Sequence, residues 1–162
     1  MTPYKISTLL FAQDSSKKIL MMQRRKAPNY GLWSPPGGKL EMAIGESPYE
    51  CAAREAHEEL GLTLSHNDLH LFSMVAEKAY EGNTHWLMFM FQIKPTLNSL
   101  PKEIDEGPFQ FFTRQEIDEI SIPETDKTIV WPFYDRHLDG FTAVRASFDS
   151  DNNVELVVEE SL

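Results

Sequence analysis

The sequence predicts a mixed α/β fold of the α+β type, an α/β/α sandwich with helices on both faces of a mixed β-sheet. Three observations carry this. Apolar, aromatic and β-branched runs recur along the chain and read as strands. Two capping boxes, Ser47-Pro48-Tyr49-Glu50 and Thr113-Arg114-Gln115-Glu116, open helices. Strands and helices do not alternate in a regular βαβ rhythm, which points to a mixed sheet.

Residues 4–13 are strand-like, 14–18 a turn, and 19–24 (ILMMQR) a second strand, so the two are expected to form a hairpin. Residues 26–36 form a Pro-, Gly- and Asn-rich loop, and Gly37-Gly38-Lys39-Leu40 begins a short extended piece. The helix Pro48–Leu60 has Ser47 as N-cap and Gly61 as C-terminal stop. Residues 69–79 form a strand, 81–84 a turn, and 85–94 a long strand. The latter is apolar at both alternating positions and therefore central, buried on both faces. A loop over 95–108 leads to the short strand 109–112 and a short helix to about 120. A helix over 124–138 is bent or split by Pro132. Residues 141–148 and 154–159 close the chain as a hairpin.

The 162 residues, read as one domain over 1–162, suffice for a core. Hydrophobic residues at 41% and charged residues at 25% describe a globular chain. A net charge of -10 argues against binding duplex nucleic acid or an anionic membrane surface. A phosphorylated substrate on so acidic a chain needs offsetting charge, which a divalent metal ion supplies. Cys51 is the one cysteine, so no internal disulfide forms, consistent with a reducing cytoplasm. The apolar N-terminal run lacks a basic leader and reads as a strand, and no run is long enough to cross a bilayer. An oligomer is compatible with the sequence.

The stretch Arg54-Glu55-Ala56-His57-Glu58-Glu59-Leu60-Gly61-Leu62 is the most informative. At about 100° per residue, Glu55, Glu58 and Glu59 share one helix face. Tyr49, Ala52, Ala53, Ala56 and Leu60 share the neighbouring, core-facing one. The i,i+4 and i,i+3 like-charge pairs cost roughly 0.2–0.5 kcal/mol each. Anions in the last turn oppose the helix dipole by roughly 0.3–1 kcal/mol each. A hard divalent cation removes both penalties; a solvated acidic face tolerates them.

With Gly38 and Glu46 upstream, this stretch resembles the signature of the Nudix hydrolases, or MutT family: a Gly, a Glu, then R-E-U-x-E-E-x-G-U with U aliphatic. One feature departs from it. Seven residues separate Gly38 from Glu46, where the family has five. The insertion falls in a loop, where length is tolerated. The resemblance implies a Nudix-like sandwich and a Mg²⁺-dependent (or Mn²⁺-dependent) hydrolase that splits a nucleoside diphosphate linked to another group. Glu55, Glu58 and Glu59 would be metal ligands with the Gly38 carbonyl, and Arg54 and Glu46 would orient the carboxylates. Metals that bridge phosphate oxygens neutralise developing charge.

Further segments extend the resemblance. Leu32-Trp33-Ser34-Pro35-Pro36-Gly37-Gly38-Lys39 resembles a MutT-type lead-in. Glu103-Ile104-Asp105-Glu106 resembles the loop that supplies another carboxylate, with Glu106 the preferred general base over Glu103. Ile122-Pro123-Glu124-Thr125-Asp126 followed by Trp131-Pro132 loosely resembles the purine-binding segment of oxidised-purine nucleoside triphosphatases. Asp126 reads as a base contact or as a cap of the helix that follows. Arg24 and Arg25, beside Lys26, are candidate phosphate ligands, as is Lys39. Trp33 and Tyr30 read as base-stacking rings, Trp33 equally as a core anchor. Tyr80, His57 and Cys51 read as packing or surface residues.

The favoured function is pyrophosphohydrolysis of a nucleoside triphosphate, an oxidised purine among the candidates, to a monophosphate and pyrophosphate. The runner-up substrate is a nucleoside diphosphate sugar or dinucleoside polyphosphate. The proline that marks ADP-ribose hydrolases is absent. A non-catalytic nucleotide-binding module of the same fold would have lost Glu58 or Glu59, and both are present. The expected partner is a small-molecule nucleotide.

Overall fold

The computed structural model describes residues 3–80 and 82–162. Its main sheet has six strands in the order β4-β1-β6-β5-β8-β9: β4 (Gly37–Lys39), β1 (Tyr4–Phe11), β6 (Thr84–Ile93), β5 (Leu69–Tyr80), β8 (Thr142–Phe148) and β9 (Val154–Ser161). Strand β1 runs parallel to β6 and β5 parallel to β8, while β5–β6, β1–β4 and β8–β9 are antiparallel. The sheet is therefore mixed, as expected. A second sheet joins β3 (Trp33–Ser34), β2 (Ile19–Gln23) and β7 (Phe109–Phe112).

Both faces of the main sheet are covered, and the alternation of side chains along each strand decides which face each residue serves. Leu10 of β1 and Phe91 of β6 join Ala52, Ala56 and Leu60 of α1 (Pro48–Leu60) in one cluster. Their neighbours Phe11 and Met90 join Ile117 of α2 (Arg114–Ile117), Ile129 of α3 (Asp126–Ile129) and Trp131, Phe133 and Tyr134 of α4 (Trp131–His137) in the other. Phe11 is the hub of the second cluster. Its ring packs edge-on against Phe72 at 5.1 Å and Trp131 at 5.6 Å, and it stacks on Tyr134 at 5.4 Å. Offset and edge-on aromatic pairs add stabilisation beyond burial.

Helix α1 follows its sequence signals. Ser47 accepts from the Glu50 amide at 3.1 Å, and Glu50 accepts from the Ser47 amide at 3.0 Å. Gly61 stops the helix with φ 70°, a conformation that a Cβ disfavours. The 124–138 helix is split as its proline requires. Val130 joins α3 to α4, with Pro132 in the first turn of α4, where a missing N–H costs nothing.

Two expectations change. Strands β1 and β2 share only the Gln13–Ile19 bridge and a bond from the Leu20 amide to the Ala12 carbonyl at 2.9 Å, rather than forming a full hairpin. The reason is burial. Leu20 and Met22 serve one cluster while Ile19 and Met21 serve the other, so β2 lies between layers and takes partners on both edges. Helix α2 ends at Ile117, short of 120, and the following helix begins at Asp126. The turn expected at 81–84 includes Glu81, which lies outside the described residues; Gly82 there has φ 96°.

The reciprocal cap makes one prediction. Ser47→Ala lowers stability by about 1 kcal/mol, read as a lower urea midpoint with an unchanged denaturant slope.

Candidate functional site

The acidic end of α1 forms one wall of a cleft of about 680 Å³, in the range of small-molecule sites. Glu55, Glu58 and Glu59 all line it, with Gly37, Gly38 and Lys39 of β4. Arg54 braces this wall. Its Nε and Nη2 donate to the two Glu46 oxygens at 2.7 and 2.9 Å, its Nη1 to Glu55 at 2.9 Å and Glu58 at 3.2 Å, and Nη2 also reaches the Lys39 carbonyl at 3.0 Å. A bidentate guanidinium–carboxylate pair of this kind is strong and directional. Arg54 holds the Glu46 carboxyl down at about 2, and Glu46 also accepts from the Glu41 amide at 3.0 Å. The lengthened loop, which contains a short 3₁₀ turn at Met42–Ile44, thus folds back onto the brace.

Glu55 and Glu59 are held differently. Glu55 is 7% exposed, and burial raises its carboxyl against the pull of Arg54. Burial, then the neighbouring Glu55 charge, pushes Glu59 up to about 8. Glu59 Oε2 is buried with no hydrogen-bond partner, an arrangement that folding alone does not favour. Gly38 lets the strand approach closely: a Cβ there would meet Glu55 Oε1 at 2.2 Å. The Gly38 carbonyl accepts weak contacts from Thr8 Oγ1 at 3.4 Å and Cys51 Sγ at 3.8 Å. The side chain of Glu58 is 56% exposed and leans on Arg54. Among the described residues no three His, Cys, Asp or Glu side chains already converge at ligand spacing. The buried Glu55, the orphaned Glu59 oxygen and the exposed Glu58 carboxylate are nonetheless the hard-oxygen donors that Mg²⁺ or Mn²⁺ prefers.

The remaining candidates divide. Arg24, Lys39, Glu106 and Asp126 line the cleft with the acidic wall. Glu106 is near enough for its charge to raise Glu59. Arg24 Nε donates to the Pro28 carbonyl at 2.7 Å, which fixes its direction. Arg25 does not reach the cleft. Its guanidinium pairs with Glu103, so the two residues neutralise each other. Trp33 is not a cleft residue either: it packs edge-on against Phe112 at 5.0 Å, the core-anchor alternative. Tyr30 is 74% exposed and does not line the cleft. Asp126 lies in the first turn of α3, where an anion suits the helix dipole, and it lines the cleft as well. Cys51 is buried with its thiol pushed up to about 11 by burial, and is inert packing.

Sequence reasoning missed three residues. Trp86, expected to be buried in a central strand, lines the cleft where β6 begins. The ammonium groups of Lys5 and Lys39 lie 5.4 and 5.9 Å from its ring centre. Glu77 of β5 is the third, 5% exposed and lining the same cleft. A lone glutamate in a strand of mostly apolar residues was the available signal.

Carboxylates bunched on the wall of a nucleotide-sized cleft point to the hydrolases of phosphoanhydrides as a class. A NUDIX domain family model matches residues 3–136, and the chain belongs to the Nudix family. It is 31% identical to the 8-oxo-dGDP phosphatase NUDT18 of Danio rerio over 97 residues, 60% of this chain. That match spans 26% of the zebrafish protein, about a quarter of its length. The mutator MutT protein of Bacillus halodurans superimposes with a TM-score of 0.73 at 25% identity, covering 96% of this chain and 97% of that one. The NUDIX domain of Shewanella oneidensis NrtR, complexed with ADP ribose, shares the fold, with a TM-score of 0.64 over 83% and 87% of the two chains at 15% identity. The β8–β9 hairpin lies beyond the matched residues but extends the same sheet. No helix among the described residues is long and apolar enough to cross a membrane.

The buried Glu77 makes the stability of the protein pH-dependent. Burial, with the Asp126 charge second, pushes its carboxyl up to about 8 from an ordinary value near 4.5. The folded chain keeps a proton there that the unfolded chain releases, so stability falls as pH rises from about 4.5 to 8. Glu77→Gln removes that slope. Urea unfolding from pH 5 to 9 shows the variant gaining on the wild type up to about pH 8, with a constant difference between the two thereafter.

Proposed function

We propose that this chain hydrolyses the pyrophosphate linkage of a nucleoside triphosphate, with an oxidised purine nucleotide the favoured substrate, to a monophosphate and pyrophosphate. The observation that carries this reading is Glu55, braced by Arg54 on the cleft wall, beside Glu59 with its buried, unpartnered oxygen. Glu55, Glu58, Glu59 and the Gly38 carbonyl would hold Mg²⁺ or Mn²⁺, which supplies the positive charge that a polyphosphate and a chain of net charge -10 both lack.

The chain's own groups divide the remaining work. Arg54 and Glu46 fix the directions of the Glu55 and Glu58 carboxylates. Arg24 and Lys39 offer the cationic contacts to phosphate within the cleft. Glu106, exposed and facing the acidic wall, accepts the proton of the attacking water. Asp126, at the start of α3, takes a hydrogen bond from the base. Trp33 and Arg25 have no part in this reading, since their side chains are engaged elsewhere.

A second reading concerns the phosphate count. The zebrafish relative is named for action on 8-oxo-dGDP, which favours a nucleoside diphosphate carrying the same kind of base. Incubation with nucleoside di- and triphosphates, their oxidised purine forms, nucleoside diphosphate sugars and dinucleoside polyphosphates, with products identified, separates these options. Turnover stops on chelation and returns with Mg²⁺. Glu59→Gln loses at least ~100-fold in kcat/KM while remaining folded, a scale set by the loss of a ligand rather than of its support. Turnover indifferent to chelation and to this change contradicts the assignment. Arg54→Lys, which keeps the charge but loses the fork, drops activity by roughly 10–100-fold.

A further inference from the structure

Glu77 has no role in the function just proposed, yet it is buried at the cleft. It is 5% exposed, lines the cleft and accepts a hydrogen bond from no described residue. Strand register shows why nothing within the sheet satisfies it. Lys5, Trp86 and Glu77 form a row across β1, β6 and β5. The nearest cation in that row is two strand spacings away, roughly 9–10 Å, beyond ion-pair reach. Across the cleft stands Asp126, also without a side-chain hydrogen bond, and its charge is felt at Glu77. A buried carboxyl without a partner is destabilising unless something from outside completes it.

We propose that Glu77 and Asp126 together read the base, and that the edge they select is guanine-type: an oxygen acceptor beside two N–H donors. This rests on the nucleotide reading above and narrows it to a base class. The chemistry follows from the two carboxyls. Burial pushes Asp126 up to about 7 and Glu77 up to about 8, so near neutral pH the pair retains a proton. One protonated carboxyl offers an O–H donor, and an ionised one offers two acceptors. Donor, acceptor and acceptor complement the O6, N1–H and N2–H₂ edge of guanine, which 8-oxoguanine shares. Cytosine presents one amino donor beside two acceptors and adenine one amino donor beside one acceptor, so neither offers the second donor. Tyr80, Met88 and Pro123 border this part of the cleft and supply apolar surface for the ring faces. A site built to hydrogen-bond a base rejects one that leaves its buried groups unpaired.

The test is calorimetric titration of the whole protein with GMP, AMP and CMP, which the proposed reaction does not consume, alongside kcat/KM for the matching triphosphates. The wild type binds GMP at least ~10-fold more tightly than CMP. Glu77→Gln, which melts no lower than the wild type, brings that ratio to within about 2-fold while CMP affinity stays, and Asp126→Asn does the same. Absence of base preference in the wild type, or a GMP:CMP ratio unchanged in both variants, overturns the inference. The two readings fail separately. Triphosphate hydrolysis at equal kcat/KM for every base sinks the base-reading pair but leaves the hydrolase, whereas GMP preference without hydrolysis keeps the pair and sinks the hydrolase.

Discussion

Everything at this site depends on one unfavourable arrangement: three carboxylates gathered at the end of a helix whose dipole already disfavours them. Arg54 makes it tolerable. One guanidinium spans Glu46, Glu55, Glu58 and the Lys39 carbonyl, and so ties α1 to β4 as well as offsetting charge. The compensation is incomplete by construction. Arg54 does not reach Glu59, whose inner oxygen remains buried without a partner. A helix end that is braced on one side and unsatisfied on the other is where the proposed cation would sit, and Gly38 lets the strand approach it closely.

The two-faced sheet sets the distance between this place and the rest of the cleft. Because β6 is flanked by parallel β1 and antiparallel β5, Lys5, Trp86 and Glu77 come into one row and Ser7, Met88 and Val75 into the next. Toward β8 this face is sealed by the aromatic cluster around Phe11 and Trp131. Where that cluster ends, the face opens into the cleft, with the acidic end of α1 on one side and the 123–126 segment on the other. Packing thus decides where the layers part, and the strand register decides which polar side chains are stranded there.

The local part of this was legible in the sequence. The limits of α1 follow from a reciprocal cap and a glycine stop, and the bunching of Glu55, Glu58 and Glu59 follows from helical spacing. Such signals act over three or four residues and need no knowledge of the rest of the chain. Sites assembled by tertiary contacts were not legible. Trp33 and Trp86 are both aromatic residues near turns, and only the path of β6 reveals that Trp86 faces the cleft while Trp33 packs on Phe112. Arg25 looked like a phosphate ligand because its partner, Glu103, is 78 residues away. The hairpin expected of β1 and β2 failed for a similar reason. Adjacent strands with a tight turn favour pairing locally, but β2 is apolar on both faces and is drawn between layers. Glu77 was overlooked because alternation marks a face as buried without saying what it is buried against.

The central claim is that the unsatisfied acidic helix end binds a divalent cation, and Mn²⁺ titration followed by electron paramagnetic resonance tests it without reference to any substrate. The account predicts saturable Mn²⁺ binding that Mg²⁺ displaces, with a rise in Tm on saturation, both lost in a Glu55→Gln, Glu59→Gln double variant that still folds. No saturable binding by the wild type, or equal binding by the double variant, would contradict it.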